Sequence, residues 1–436
     1  MAELEPLLVR LNPWWRGKPV EGIAGLKPRF LHQKLLEQMK NKQIIAITGP
    51  RRTGKSTLMR HLIQRLLDEG IKQAEILYFS FDEVLAKEAE VIERVLLAYE
   101  QSFLHRELRD VFIFLDEVQY IENWAAILKR YYDLDVGIKF VISGSQSLKV
   151  KKGKESLAGR IYEYALPPLS FREFLYLRCV EVEKVPLKFE KLKEAREKLL
   201  LKKRELLMAL SHYLRQGSFP ELIVEENIEN ARQYVASLLK KVIFEDIPRV
   251  FPIESPSQLN EILKLIAKRP GALVEYQSLA SSLGMTRQTA SKYVTALEEA
   301  FVVTILANYR RSALAVARKK KKAYLTAHAY ALPFVEPEEA LAGLAWVVEN
   351  VVACHLNAKF FWRNAGEVDF VVDGLPVETK SGEKEGMKGI AKFMERFGAK
   401  RGVVVTKDTL ERKKIDVGGE EREVLLVPLW LFLLSF

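Results

Sequence analysis

QIIAITGPRRTGKST, residues 43–57, sets the fold class of this chain. Gln43 to Thr48 carries no charge and reads as a strand buried on both faces. The loop after it, Gly49-Pro50-Arg51-Arg52-Thr53-Gly54-Lys55-Ser56-Thr57, fits the spacing GxxxxGK[ST]. Its glycines let main-chain N–H groups turn inward around phosphate oxygens, and the helical stretch Leu58–Leu67 adds the positive end of its dipole. All nine loop residues are expected to line a site for the phosphates of a nucleoside triphosphate. Lys55 reaches the β- and γ-phosphates there, and the Ser56 hydroxyl helps hold Mg2+.

Further runs, EILYFSF (75–81), VFIFLDE (111–117) and IKFVISG (138–144), alternate with helical periods, which predicts an α/β layer with a parallel sheet. The second of these ends in Asp116-Glu117. Two carboxylates at the carboxyl edge of a buried strand suit two tasks, Asp116 on the Mg2+ shell and Glu117 on the attacking water. Their presence argues for hydrolysis and not mere nucleotide holding. The next strand ends in Ser143-Gly144-Ser145-Gln146, where Ser143, Ser145 or Gln146 could sense the γ-phosphate, with a plain strand-end turn as the competing reading. Arg160, in SLAGR (156–160), offers a transition-state charge in cis or across the boundary of a homo-oligomer, with a structural salt bridge as the competing reading.

The chain has 436 residues, 48% of them hydrophobic, enough for about three domains. Its 68 Lys and Arg exceed 57 Asp and Glu, a formal charge of +11 that favours a polyanionic partner, nucleic acid before anionic lipid. Two cysteines, Cys179 and Cys354, exclude a disulfide framework and suit a reducing cytoplasm. The apolar run Val424–Phe436 has thirteen residues, against about 20 for a membrane span. Pro428 divides it into a short strand and a short helix, so it is expected as core, and the protein as soluble.

Residues 171–247 read as charged helices with an exposed insertion over 181–206, and Pro248, Pro252 and Pro256 mark a linker. YQSLASSLGMTRQTASKYVTALEEAFVV (276–303) then reads as helix, turn, helix. Leu279, Ala280, Leu283, Val294 and Leu297 fall at inward spacing, Thr286 is a good N-cap, and Gln288, Ser291, Lys292 and Thr295 lie on the outer face. Such a second helix can enter a major groove. Arg310, Arg311, Arg318, Lys319, Lys320, Lys321 and Lys322 crowd the hairpin behind it, as phosphate contacts require. A domain-docking role with solvated lysines is the alternative. Residues 328–340, with three acids and two prolines, read as a second linker.

FFWRNAGEVDFVVDGLPVETKSG (360–382) carries the last constellation. Asp373-Gly374 predicts a two-residue hairpin turn. Asp369 then faces Glu378, Glu367 faces Lys380, and all four side chains share one face. Opposed carboxylates repel unless a cation lies between them, and hard oxygen ligands suit Mg2+ or Mn2+. Glu349, on the helical stretch Leu341–Leu356, is a third carboxylate, and Lys380 could stabilise a phosphorane-like charge. Cross-strand salt bridges, Glu367–Lys380 first, are the competing reading. A helix over 388–397 and a strand over 402–406 complete an α-β-β-β-α-β order.

These stretches, with NPWW (12–15), PLSFREF (168–174) and YLRQGSFPE (213–221), resemble the family of archaeal and bacterial AAA+-type P-loop ATPases with a carboxyl-terminal PD-(D/E)XK nuclease-like domain. The resemblance spans nearly the whole chain. It implies an N-terminal arm (1–40), a P-loop AAA+ ATPase core (41–170), a helical lid (171–250), a winged helix (256–327) and an α/β nuclease-like domain (336–436). Carried over by motif, Lys55, Ser56, Asp116 and Glu117 would serve ATP hydrolysis, and Glu349, Asp369, Glu378 and Lys380 a metal-dependent nuclease. One strand end, Ala323 to His328, lacks the aspartate that relatives usually show there. The expected activity is Mg2+-dependent ATP hydrolysis coupled to DNA binding and processing. The rival is a nucleotide-switched DNA-binding scaffold whose nuclease fold is catalytically silent.

Overall fold

In a computed structural model, the described residues are 4–83, 90–145, 157–310, 320–335, 344–380 and 387–436. They form two compact units. One holds Met1–Pro167 with Arg249–Pro252 and Glu299–Phe301, the other Pro168–Pro248, Ile253–Glu298 and Val302–Phe436.

The first unit is built on five parallel strands, β1 (Ile44–Thr48), β2 (Ile76–Ser80), β3 (Phe112–Asp116), β4 (Lys139–Gly144) and β5 (Ile161–Ala165), in the order β2-β3-β4-β1-β5. Alternate side chains of β1 to β4 enter two cores. Ala46, Phe79, Leu115 and Ile142 meet the helices Glu90–Tyr99 and Trp124–Asp133, while Ile47, Tyr78, Phe114 and Val141 meet the helix Lys55–Asp68. The expected sheet covered on both faces is therefore present. β5 escapes a hydrophobic-run reading because, as an edge strand, it leaves Tyr162, Glu163 and Ala165 exposed.

The other edge, β2, is closed by side chains of the N-terminal arm. The Asn12 amide donates to the Tyr78 carbonyl (2.9 Å) and accepts from the Tyr78 N–H (2.6 Å). The indole N–H groups of Trp14 and Trp15 both donate to the Ile76 carbonyl (3.2 and 2.9 Å). Residues 12–15 thus satisfy strand groups that an open edge leaves bare.

In the second unit, nine strands make one sheet: β6 (Leu273–Val274), β7 (Val303–Asn308), β8 (Lys321–Leu325), β9 (Phe360–Arg363), β10 (Glu367–Val372), β11 (Leu375–Thr379), β12 (Arg401–Thr406), β13 (Glu411–Val417) and β14 (Glu420–Pro428). Their order is β13-β14-β12-β11-β10-β9-β7-β8-β6. The hairpin β7–β8 joins the carboxyl-terminal strands through parallel pairing of β7 with β9. Domains expected to be separate here, 256–327 and 336–436, thus share a sheet. The expected helix-strand order holds from the helix Leu344–Leu356 to β12, and Val424–Phe436 is core, ending in the helix Leu429–Leu433.

Two expectations are corrected. Residues 171–250 were expected as a lid on the P-loop core. Instead Phe171, Phe174, Leu206, Leu210 and Tyr213 share a core with Val351, Val403 and Phe432, and the segment Pro168–Pro248 belongs to the second unit. The insertion 181–206 contributes to that core through Val185, Leu192 and Leu206. The stretch after β8 was expected as a linker, yet His328–Phe334 is a 3-10 segment that is buried from His328 to Leu332. His328 there bonds the Ser218 hydroxyl (3.0 Å) and the Tyr213 carbonyl (2.7 Å).

Candidate functional site

The phosphate loop leaves β1 at Thr48, where the Leu166 N–H donates to the Thr48 carbonyl (2.7 Å). That strand crowds Gly49, on which a Cβ would lie 2.2 Å from the Leu166 carbonyl oxygen. Gly54, at φ +90°, turns the chain into the helix Lys55–Asp68. Inside the loop the Thr53 hydroxyl donates to the Pro50 carbonyl (2.9 Å). Buried Arg29 donates to the Thr53 and Pro167 carbonyls, the latter at 2.9 Å. Arg51 reaches Asp82 (3.0 Å) and the Tyr120 hydroxyl (2.8 Å), and Arg52 is exposed. The Lys55 ammonium folds onto the loop's own Gly49 and Pro50 carbonyls (3.1 and 2.9 Å), with Glu117 Oε1 at 3.9 Å.

β4 separates the loop strand from β3, and its end ties the acidic pair in place. Asp116 accepts from the Tyr78 hydroxyl (2.8 Å) and from the hydroxyls of Ser143 and Ser56. Burial, then the neighbouring Glu117 charge, raise its pKa. Glu117 adopts the left-handed φ of +57° and donates its N–H to Ser143 Oγ (3.1 Å). Its Oε2 accepts from the Gln119 amide and from the Ser145 N–H (3.2 Å). Burial pushes its carboxyl up, but Lys55 and Arg51 reverse that and hold it below the ordinary range. Glu117 is thus an ionised, oriented carboxylate in a left-handed backbone conformation. The adjacent Ser56 hydroxyl and Asp116 carboxylate are hard oxygens that fit Mg2+ completed by phosphate oxygens and water.

Ser143 and Ser145 both serve the acidic pair, and Gln146 lies outside the described residues. Arg160 is not brought to the loop in this chain. Its carbonyl accepts the Ile44 N–H (2.8 Å) at the start of β1, while the loop leaves the other end, about 15 Å away at strand rise. The guanidinium instead pairs with Asp133 at 2.8 Å. Sequence reading missed Arg29, Tyr78 and Gln119. Gln119 lies within the acidic-pair motif, whereas Arg29 acts on a loop residue 24 positions away and leaves no local signal.

In the second unit, the helices Tyr276–Leu283 and Arg287–Glu299 flank Gly284, which adopts φ +64°. Thr286 caps the second helix as expected, accepting the Thr289 N–H (3.1 Å). Gln288, Lys292 and Thr295 are exposed on it and Ser291 is half-buried. The basic stretch divides. Lys320 pairs with Glu275, Lys321 lies over the Tyr276 ring at 5.9 Å, and Arg310 donates to the Arg363 carbonyl (3.4 Å). Arg311, Arg318 and Lys319 lie outside the described residues. Lys322 was expected to face phosphate, but it is buried, because period-2 alternation on β8 turns it inward toward Glu349, Glu367 and Asp369.

The hairpin β10–β11 has the expected register, with Phe370 opposite Val377 and Val372 opposite Leu375. A bulge between Val368 and Val371 against β9 breaks the expected alternation. Asp369 Oδ2 accepts from the Thr379 N–H (2.9 Å) and hydroxyl (3.0 Å). Glu378, paired along the sheet with Val404, turns toward the helix Met387–Phe397, where a Cβ on Gly389 would lie 3.5 Å from its Oε2. Glu378 Oε1 pairs with Lys380 (2.8 Å), its Oε2 has no hydrogen-bond partner among the described residues, and burial lifts its pKa to about 7. The expected Glu367–Lys380 pair is thus replaced by Lys322–Glu367 (3.0 Å) and Lys380–Glu378. Glu349 accepts from the Tyr324 hydroxyl (2.6 Å), and burial followed by Asp369 raises its pKa. Among the described residues no three Asp, Glu, His or Cys side chains converge to hold a metal ion. Glu349, Asp369 and Glu378 as they stand do not fit a divalent cation, because Lys322 occupies the space between the first two.

Residues 41–175 match the family described as AAA domain, and residues 208–331 match a domain of unknown function, DUF8612. The chain is 26% identical over 416 residues to the uncharacterized protein MJ1637 of Methanocaldococcus jannaschii, covering 87% of this chain and 85% of that one. It is 25% identical over 284 residues to an uncharacterized protein of Haemophilus influenzae, 62% and 64% of the two chains. Among solved structures, Aeropyrum pernix ORC1 in complex with DNA is 13% identical at TM-score 0.33, over 73% of this chain and 93% of that one. AMPPCP-bound DnaA from Aquifex aeolicus is 13% identical at TM-score 0.29, over 62% and 86%. Scores this low carry no weight. The family match and the loop geometry define an AAA-type, ATPase-like P-loop domain over residues 41–175. Among the described residues no helix is long and apolar enough to cross a membrane.

Proposed function

We propose that the protein hydrolyses ATP with Mg2+ and couples that cycle to binding nucleic acid, DNA first. The observation that carries the reading is Glu117, ionised, held by Gln119 and Ser145, and 3.9 Å from Lys55. When ATP binds, Lys55 exchanges the Gly49 and Pro50 carbonyls for β- and γ-phosphate oxygens. The metal supplies neutralisation of those oxygens, and Ser56 and Asp116 would hold it. Glu117 takes a proton from the water attacking the γ-phosphorus. The bond to the β-γ bridging oxygen breaks, giving ADP and phosphate, and the proton passes to solvent. Arg160, half-buried just before β5, serves this reaction only across the boundary of a homo-oligomer.

The helix Arg287–Glu299 and the hairpin β7–β8 act as a winged helix, with Gln288, Ser291 and Lys292 toward the duplex and Arg310, Arg311, Arg318, Lys319, Lys320 and Lys321 toward phosphate. Few of these favour particular bases, so binding is weakly sequence-specific. Lys322 among the carboxylates favours the reading in which the nuclease-like domain is catalytically silent. ATPase activity that requires Mg2+, rises with DNA and disappears in Lys55→Ala is the expected result. No Mg2+-dependent activity separating wild type from Lys55→Ala would sink the enzyme reading. Cleavage of single-stranded, duplex or branched DNA with Mg2+ or Mn2+, lost in Lys380→Ala, would restore the nuclease.

A further inference from the structure

The basic stretch does not end at the surface. Lys320 is exposed, Lys321 is half-buried, and Lys322 enters the sheet on β8, paired with Leu273 on one side and Leu306 on the other. The Lys322 side chain is 6% exposed. Its ammonium lies 3.0 Å from Glu367 Oε1, 3.7 Å from Glu349 Oε1 and 3.9 Å from Asp369 Oδ1, and 5.5 Å from the centre of the Phe361 ring. Those oxygens come from β10 and from the helix Leu344–Leu356. Arg363 reaches the other oxygen of Glu367, at 3.6 Å. Tyr324, two residues along β8, donates to Glu349 from the same face.

We propose that Lys322 is a tethered cation that fills the carboxylate cluster of the second unit and excludes divalent metal from it. A lysine is almost never buried unless paired, and here the partners are hard oxygens of the kind that Mg2+ or Mn2+ selects. A divalent ion on Glu349 and Asp369 would stand within a few ångströms of the ammonium, so the two cations compete for one place. Removing the ammonium while keeping the carboxylates leaves Glu349, Glu367 and Asp369 with a mutual repulsion that a bound cation would relieve. Because β8 also ends the basic hairpin, the internal cation and the external basic surface belong to one strand.

The proposal rests on the reading of a silent nuclease-like fold, but its test is separate: cation binding in Lys322→Met bears on the proposal, and cleavage by the wild type bears on that reading. Full-length wild type, Lys322→Met and Lys322→Met/Asp369→Asn are titrated with Tb3+ by tyrosine-sensitised luminescence, and with Mn2+ by paramagnetic resonance, without nucleotide. Lys322→Met should bind each ion at least tenfold more tightly than wild type, and the added Asp369→Asn should erase the gain. Equal affinity in wild type and Lys322→Met overturns the proposal, as does a gain that survives Asp369→Asn. If Lys322→Met does not fold, Lys322→Met/Glu367→Gln, which removes one charge of each sign, decides by the same tenfold criterion.

Discussion

Glu117→Gln separates nucleotide binding from hydrolysis, and the geometry sets both magnitudes. Glutamine keeps the side-chain shape and an oxygen for the Ser145 N–H, but it removes the charge and the basicity. Loss of a positioned general base lowers the chemical rate by about 10²- to 10⁴-fold, and we expect about 10³. Binding should move the other way. Two unit charges 3.9 Å apart attract by about 4 kcal/mol at an effective dielectric of about 20. Desolvation of the pair offsets most of that, leaving about 1 kcal/mol that Glu117 withholds from a nucleotide competing for Lys55. ATP affinity should therefore rise about fivefold. Phosphate release at saturating ATP gives the rate, and equilibrium binding of a fluorescent ATP analogue gives the affinity. Hydrolysis within tenfold of wild type would remove Glu117 as the base. A tenfold loss of affinity would show that its charge supports the loop instead of opposing the ligand.

Gly49→Ala should abolish tight nucleotide binding, because the new methyl would lie 2.2 Å from the Leu166 carbonyl and one of two main-chain segments must move. An ATP dissociation constant within twofold of wild type would contradict that reading of the loop. A third prediction concerns His328, buried with both ring nitrogens bonded and its pKa lowered by burial to about 4. The folded value lies below the unfolded one, so the unfolded chain binds more protons in between, and stability falls as pH drops from about 6.5 through 4. At pH 5 the loss attributable to His328 is about 2 kcal/mol. The difference in urea midpoint between pH 7 and pH 5 should shrink in His328→Gln, and an unchanged difference would refute the assignment.

The strands β1 to β4 were legible because each is buried on both faces, and a continuous apolar run records that directly. β5 and β13 were not, since their exposed residues break the run (Glu163 in one, Lys414 and Asp416 in the other). The phosphate loop and the acidic pair were legible because their chemistry fixes both spacing and residue type. The intervening β4, which turns Ser143 and Ser145 into partners of the acids, depends on strand order, and no local pattern encodes that. The same limit explains the helices of 171–250. Their apolar stripes announce a partner without naming it, and the partner is a sheet more than 150 residues further along the chain, as for Phe171 and Val403. At β10 the hairpin register followed from Asp373-Gly374, but the bulge comes from pairing with β9 and redirects Asp369. Lys322 read as one more member of a basic run, and only the pleat of β8 distinguishes it from Lys321.

The arm that closes the β2 edge also imposes an order of events on the growing chain. Asn12, Trp14 and Trp15 leave the ribosome more than 60 residues before the Tyr78 and Ile76 groups they will bond. Over that interval, at about 5–20 residues per second, two large indoles wait several seconds without a surface to cover. Once β2 arrives, the arm blocks the main-chain row that a second nascent copy would otherwise pair with. Its contribution therefore lies as much in yield during synthesis as in equilibrium stability. Variants in this stretch should reveal themselves first as a fall in soluble protein on crowded polysomes.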